Sequence, residues 1–143
     1  MGGDALTVLI DTHVLVWLLE GNRCLSPNAL QLIDEAAARN TLRVAAITPW
    51  EIAMLVSKGR LALDRDVGEW IEQAMALPGI KLTQLDPAIA VASTRLPWNC
   101  HPDPADRMIV ATARHLEALL ITEDSLLLGY AEQGHFNAKR ACK

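Results

Sequence analysis

Residues 101–113 read His-Pro-Asp-Pro-Ala-Asp-Arg-Met-Ile-Val-Ala-Thr-Ala, a loop with two prolines that runs into an apolar helix. Asp103 is a suitable N-cap, and Pro104 fits the first helical position because its missing N–H would have no partner there. Asp106 then occupies the third helical position, with its carboxylate over the positive end of the helix. Ordinary helix-start chemistry would explain both aspartates, but other acidic residues occur where predicted strands end.

The length and composition limit the class of protein. The chain has 143 residues, of which 51% are hydrophobic and 4% aromatic, so we expect one domain over residues 1–143 with a single aliphatic core. No uncharged stretch is long enough to predict a membrane span, and no basic secretory signal opens the sequence. The net charge of −4 argues against a large basic nucleic-acid surface but not against a local basic rim.

The three cysteines are Cys24, Cys100 and Cys142, and no two of them form a C-x-x-C pair. An odd, scattered set of this kind is not typical of a disulfide framework or of a zinc site. The sequence therefore predicts reduced thiols in a cytoplasmic protein.

Short apolar runs alternate with helical patterns along the chain. The predicted strands are residues 6–10, 42–47, 80–85, 118–121 and, at an edge, 135–138. The predicted helices begin at Thr12, Ser26-Pro27, Thr48-Pro49, Asp66, Asp86-Pro87, Asp103-Pro104 and Asp124. Because parallel strands need crossover connections, this order predicts an α/β fold, a three-layer α/β/α sandwich with a parallel sheet between helices.

Four carboxylates lie at or near the predicted carboxyl ends of strands. Asp11 and Asp124 end two strands, Glu51 lies four residues beyond a third, and Asp106 starts the helix that leads into the Asp124 strand. Ligands of open parallel sheets bind outside these ends, so adjacent strands would bring the four carboxylates into one crevice. Such like charges repel one another, and a hard divalent cation such as Mg²⁺ relieves the repulsion. The sequence contains no G-x-S-x-G, C-x-x-C or glycine-rich phosphate loop that would indicate other chemistry.

Each of these residues also has an ordinary structural explanation. Asp11 and Asp124 could simply cap the helices that follow them, and Glu51 could be the reciprocal acid of a capping box that begins at Thr48. Several aromatic and histidine residues fit core, interface or loop positions better than base-stacking or ligand roles: Trp17, Trp50, Trp70, Trp98, His13 and His101. These explanations leave the shared position of the four carboxylates as a coincidence.

Four blocks of the sequence resemble the PIN domain, and most closely the toxin component (VapC) of VapBC toxin–antitoxin pairs. The blocks are residues 9–13 (Leu-Ile-Asp-Thr-His), 49–53 (Pro-Trp-Glu-Ile-Ala), 101–107 and 121–124 (Ile-Thr-Glu-Asp). They occur in the family's order, and the resemblance runs from about residue 7 to residue 130. It implies a five-stranded parallel sheet and an endoribonuclease that depends on Mg²⁺ or Mn²⁺.

The resemblance also implies which side chains form the site. The acidic residues of the family, which bind the metal and catalyse, correspond to Asp11, Glu51, Asp106 and Asp124. Supporting positions correspond to Thr12, Thr48, Asp103 and Thr122. In one departure, Ala105 stands where the family often has phenylalanine, so a packing contact can differ there.

Expected partners follow from charge and hydropathy. Lys58 and Arg60 are candidate phosphate contacts for RNA, with Lys139 and Arg140 as further candidates. The mean hydropathy is +0.18, and residues 14–19, 30–38 and 50–56 carry more apolar side chains than one buried stripe requires. Together with the resemblance, this predicts a cytoplasmic homodimer that binds a small VapB-type antitoxin and no membrane.

Two other classes of function stay open at this point. One is a phosphatase or phosphoacceptor domain on a similar sheet, although a haloacid-dehalogenase-type phosphatase would have Asp-x-Asp where this chain has Asp11-Thr12-His13. In a receiver domain only Asp86 could serve as the acceptor. The other class is a non-catalytic partner-binding module of the same fold.

Overall fold

The computed structural model describes residues 6–97 and 103–143. Within these ranges one parallel sheet has the strand order β3-β2-β1-β4-β5. The strands are β1 (Val8–Ile10), β2 (Leu42–Ala45), β3 (Ile80–Thr83), β4 (Leu119–Thr122) and β5 (Asn137–Arg140). The helices are α1 (Thr12–Glu20), α2 (Pro27–Ala38), α3 (Ile47–Ser57), α4 (Val67–Met75), α5 (Pro87–Thr94), α6 (Pro104–Leu116) and α7 (Ser125–Glu132). Trp98, Cys100, His101 and Pro102, which the sequence analysis singled out, lie outside the described residues.

The sheet has a separate apolar core on each face. β1 is buried along its whole length, and because successive side chains of a strand point to opposite faces, its residues divide between the two cores. Val8 and Ile10 join the core formed with α1, α2 and α4. Leu9 joins the core formed with α6 and α7. The predicted three-layer sandwich with five parallel strands is therefore confirmed.

The predicted helix starts are confirmed at most positions. Ser26 caps α2 by accepting a hydrogen bond from the N–H of Ala29 at 3.0 Å, and Pro27 follows at the first helical position. Asp103 caps α6 in the same way, accepting from the N–H of Ala105 at 2.8 Å. These caps explain why short local patterns located the helices well.

The predicted start of α3 is wrong. The sequence predicted a strand to residue 47 and a capping box from Thr48 to Glu51, but β2 ends at Ala45 and α3 begins at Ile47, without a side-chain cap. Thr48 and Pro49 lie inside the first turn. Pro49 is tolerated there because the first N–H groups of a helix have no partner within it. The side chains of Thr48 and Glu51 are therefore available for contacts outside the helix.

The prediction of reduced thiols is wrong for two of the cysteines. Cys24 and Cys142 form a disulfide across 118 residues of sequence, with their Cα atoms 4.9 Å apart. An antiparallel bridge between Leu25 and Cys142 brings the two segments side by side, and this tertiary contact has no sequence signal. Among the described residues, none of the helices has the length and apolar character needed to cross a membrane.

Candidate active site

Asp11 lies at the centre of the sheet's carboxyl edge, where β1 ends. It is 9% exposed, and its backbone N–H still pairs with β4 through the carbonyl of Ile121 at 3.0 Å. One carboxylate oxygen accepts from the N–H of Thr12 at 2.8 Å. The other accepts from the hydroxyl of Thr122 at 2.6 Å. Burial raises the pKa of Asp11 above its usual range, although these two hydrogen bonds oppose the rise. Asp11 is therefore a helix cap and a buried carboxylate at once.

Two threonine hydroxyls connect the start of α1 to α3. The hydroxyl of Thr12 donates to Oε1 of Glu51 at 2.5 Å and lies 3.0 Å from the hydroxyl of Thr48. Because a hydroxyl has one hydrogen, the Thr12 hydrogen that goes to Glu51 leaves Thr48 as the donor in the second contact. Burial raises the pKa of Glu51, the Thr12 hydrogen bond opposes this, and the charges of Asp11 and Asp103 add to it.

The hydroxyl of Thr122 connects two of the acidic residues. It donates to Asp11 at 2.6 Å and accepts from the backbone N–H of Asp124 at 3.1 Å. Asp124 in turn caps α7, because its Oδ1 accepts from the N–H groups of Leu126 and Leu127 at 2.8 and 3.2 Å. The capping explanation for Asp124 is thus correct, and it coexists with a position beside Asp11.

Asp106 lies in the first turn of α6, as the sequence predicted. Its pKa is raised from 3.8 to about 7. The causes are burial first and then the negative charges of Asp103, Asp11, Asp124 and Glu51. The structure therefore brings all four predicted acidic residues, together with Asp103, into one electrostatic environment.

The chemistry of these donors fits a hard divalent cation. The site offers carboxylate and hydroxyl oxygens, which suit Mg²⁺ or Mn²⁺ better than softer metals. Across residues 6–97 and 103–143, however, no three His, Cys, Asp or Glu side chains stand in an arrangement that could hold a metal ion together. Mg²⁺ commonly binds only one or two carboxylates and keeps several waters, so a site without three converging protein ligands is compatible with Mg²⁺.

The predicted phosphate contacts are at different distances from the acidic residues. Lys58 is the C-cap of α3, seven residues beyond Glu51 and hence about 10 Å farther along the helix axis, and Arg60 lies two residues beyond Lys58. Arg140 lies at the carboxyl end of β5, with its guanidinium 3.6 Å from the carboxylate of Glu123. The structure thus brings Arg140 next to the Thr122–Asp124 segment, whereas Lys58 and Arg60 are at the far end of α3.

His13 was not among the predicted site residues, and it lies on the first turn of α1. Its charge lowers the pKa of both Asp11 and Glu51, and its ring centroid is 6.0 Å from that of Trp17. The available signal was its position two residues after Asp11, on the helix that Asp11 caps. His13 is an exposed polar neighbour of the carboxylates.

The alternative phosphoacceptor, Asp86, is not part of this site. It caps α5, accepting from the N–H of Ile89 at 2.9 Å, after the edge strand β3. Its other close neighbour is His115, at 3.8 Å. This position removes the main residue on which a receiver-type function would depend.

Comparison with known proteins shows the family to which the chain belongs. The PIN domain family profile matches residues 8–132, and the chain belongs to the PIN domain family. The chain is 36% identical over 121 residues to ribonuclease VapC22 of Mycobacterium tuberculosis, a match that covers 85% of this chain and 89% of that protein.

Solved structures share the fold at low sequence identity. A VapBC2 complex from Rickettsia felis bound to a promoter DNA fragment has a TM-score of 0.69 and 13% identity, and covers 95% of this chain and 99% of that chain. A DNA-bound VapBC from Salmonella typhimurium has a TM-score of 0.66 and 12% identity, with 96% and 99% covered. At these identities the likeness concerns the fold alone.

Proposed function

We propose that the protein is an endoribonuclease that acts as the toxin of a type II toxin–antitoxin pair and depends on Mg²⁺ or Mn²⁺. The observation that carries the proposal is the cluster around buried Asp11, in which burial and the charges of carboxylates from separate segments raise the pKa values of Asp11, Glu51 and Asp106. A structural role would not require four such charges at one edge of a sheet. The 36% sequence identity to ribonuclease VapC22, over most of both chains, supports RNA as the substrate.

We assign the four carboxylates the following roles. Asp11 and Asp106 would hold the cation directly, while Glu51 and Asp124 would bind through water or complete a second site. The bound metal would lower the pKa of a water and stabilise charge on the phosphate. No covalent protein nucleophile is needed. The protonated fraction of Asp106 must give up its proton when the cation binds, since a carboxylate ligand is deprotonated.

The three threonines would act by orientation. Thr12 and Thr48 fix the carboxylate of Glu51, and Thr122 fixes that of Asp11. All three hydroxyls belong to buried residues, so these carboxylates are held in place before substrate arrives. RNA would bind single-stranded or as a loop, where its backbone can bend into the crevice.

The antitoxin would bind the apolar groove between α3 and α6. This groove has a volume of about 690 Å³, and its walls include Trp50, Met54 and Met108, with Glu51 and Asp103 at the acidic end. Trp50 is 56% exposed and shares the groove with Met54 and Met108, and contiguous apolar surface of this kind marks interaction sites. An apolar helix that carries a basic side chain would match both the walls and the acidic end. We further propose a cytoplasmic homodimer.

The test is metal-dependent cleavage of a mixed-sequence, single-stranded RNA. Cleavage should require added Mg²⁺ or Mn²⁺, stop in EDTA and be lost in Asp11→Asn. Asp34→Asn, on the exposed side of α2, is the matched control and should cleave normally. Hydrolysis of a phosphomonoester without RNA cleavage would instead indicate a phosphatase, and the absence of both activities in folded, metal-loaded protein would indicate a binding module.

A further inference from the structure

The last residues of the chain fill the space between the acidic edge and the α1–α2 loop. Residues 141–143, here called the C-terminal strap, follow β5. The N–H of Ala141 donates to the carbonyl of Thr122 at 3.0 Å, and its carbonyl accepts from Ser26 at 2.9 Å. The N–H of Lys143 donates to the carbonyl of Cys24 at 3.1 Å. The strap therefore pairs with β4 on one side and with the α1–α2 loop on the other.

The Cys24–Cys142 disulfide joins the strap covalently to that loop. The Cα separation of 4.9 Å lies within the usual range for disulfides, so the backbone need not move for the bond to form or break. Both cysteines are only half-buried, which leaves them within reach of small thiol reagents. The backbone pairing described above would keep the two thiols near enough to re-form the bond after reduction, but without the covalent link the strap would move more.

The strap is one contact away from the acidic residues. The N–H of Cys142 donates to the carboxylate of Glu123 at 2.9 Å, and Ala141 pairs with the backbone of Thr122. The side chain of Thr122 holds Asp11 and also receives the N–H of Asp124. A looser strap would therefore loosen the segment that orients two of the four carboxylates.

We propose that Cys24 and Cys142 are a reversible thiol–disulfide site that couples the redox state of the protein to the order of the acidic edge. The co-reactant is a small-molecule disulfide of the oxidised glutathione type. The thiolate of one cysteine attacks it, forming a mixed disulfide and releasing one thiol. The second cysteine then attacks the mixed disulfide and releases the second thiol. The protein loses two electrons and two protons, and both pass to the co-reactant.

The effect of the bond on stability depends on the length of chain that it closes. A disulfide acts mainly on the unfolded chain, and the effect grows with the length of the loop it closes, here 118 residues. In a reducing compartment such a bond is typically transient and regulatory rather than permanent. The effect on metal binding rests on the proposed function, whereas the bond and its effect on stability do not.

The experiment compares oxidised and reduced protein in a Cys100→Ser background, which removes the third thiol. After treatment with oxidised glutathione and desalting, a thiol reagent should label neither remaining cysteine of the folded or the denatured protein. After treatment with reduced glutathione it should label both. The oxidised form should melt about 5–15 °C above the reduced form. It should also bind Mn²⁺ several-fold more tightly by calorimetry.

Serine variants provide the control. In the Cys100→Ser background, Cys24→Ser and Cys142→Ser should each melt at the temperature of the reduced protein. Oxidised glutathione should form only a mixed disulfide with the one remaining cysteine and should not raise the melting temperature. If either variant fails to fold, the comparison of oxidised with reduced Cys100→Ser protein still tests the proposal. Two labelled thiols after oxidation, or equal melting temperatures in the two states, would overturn the proposal, and equal Mn²⁺ affinities would overturn its coupling to the site. If melting and Mn²⁺ affinity shift but neither form cleaves RNA, the redox site stands and the nuclease assignment fails.

Discussion

Asp106 has its pKa raised from 3.8 to about 7, chiefly by burial and then by the neighbouring carboxylates. Because its pKa is higher in the folded protein than in the unfolded chain, the folded state binds the proton more tightly. The stabilising effect of that proton is complete at pH values below the unfolded pKa and is lost as the pH rises through about 7. The raised pKa values of Asp11 and Glu51 act in the same direction.

We therefore expect the metal-free protein to lose thermal stability between about pH 5 and about pH 8. Asp106→Asn should flatten this dependence and raise the melting temperature at the higher pH, because it removes a charge that its neighbours oppose. Melting curves in EDTA, read by circular dichroism, measure both effects. Asp34→Asn should leave the dependence unchanged. A variant Asp106→Asn that melts below the parent at both pH values would show that Asp106 is only a helix-start residue.

Glu51 allows its charge and its hydrogen bond to be separated. Glu51→Gln keeps an acceptor for the Thr12 hydroxyl but loses the charge, so stability should change by less than ~0.5 kcal/mol. Cleavage should fall by about 10–100-fold, the usual effect of losing a group that supports a bound metal. Thr12→Val instead leaves Glu51 and Thr48 without this partner, which should cost ~1–3 kcal/mol as well as activity. Denaturant unfolding and single-turnover cleavage would distinguish the two variants, and full activity in Glu51→Gln would exclude it from the site.

At the scale of elements, the end of α2 lies against the turn that leads into β3. Gly79 has φ 84°, and a Cβ there would lie 2.0 Å from the carbonyl oxygen of Ala37. Backbone atoms cannot yield as a flexible side chain can, so a side chain at this position would push α2 away from the sheet. The close approach therefore depends on the absence of a side chain.

Gly79→Ala should reduce the free energy of unfolding by ~2 kcal/mol or more. Gly59→Ala is the matched control, because Gly59 has φ 70° but no atom within 4 Å of its ideal Cβ position. That change should cost only the left-handed backbone strain of ~1 kcal/mol. Urea unfolding of both variants tests the difference, and similar losses in the two would mean that the contact with α2 can relax.

Elements were predictable from sequence where local chemistry defines them. Proline at the first helical position and an aspartate or serine cap located α2, α5 and α6. The start of α3 was missed because Thr48-Pro49-Trp50-Glu51 satisfies the capping pattern locally, while the tertiary contact from Thr12 to Glu51 decides the geometry. The four carboxylates were found because each follows or precedes such a local signal.

At the scale of the whole molecule, the single chain leaves the face of α3 that carries Trp50 exposed to solvent. Trp50 is 56% exposed at the groove between α3 and α6, while Trp70 is 4% exposed in the core. Because Trp50 contributes little to that core, Trp50→Ala should leave the melting temperature of the free protein within a few degrees. It should weaken antitoxin binding by about 10-fold or more, as expected for a buried aromatic at an interface centre.

Calorimetry with the product of an adjacent small reading frame measures this binding, and light scattering measures the oligomeric state. The control is Leu85→Ala, since Leu85 is similarly exposed at 46% and is absent from the groove walls. Equal losses in both variants would place the partner elsewhere. A monodisperse monomer that ignores that product would contradict the proposed partners altogether.

The whole-molecule features that sequence could not supply are contacts between distant segments. The resemblance and the alternation of elements predicted five parallel strands, but not their order, and the contact between Cys24 and Cys142 depends on where β5 ends. The influence of Asp103 and His13 on the acidic site is likewise a matter of distance in space. Sequence identifies the ionisable groups, and only the fold determines which of them share an environment.

The disulfide also changes how the molecule is connected. It closes residues 24–142 into a covalent ring that contains Glu51, Asp106 and Asp124, with Asp11 outside it on the N-terminal arm. A single peptide-bond cut within the ring opens it without releasing a fragment. Oxidised protein nicked once by a protease would therefore run as one species on a non-reducing gel and as two on a reducing gel. An intact band without reductant thus gives no information about whether the backbone has been cleaved.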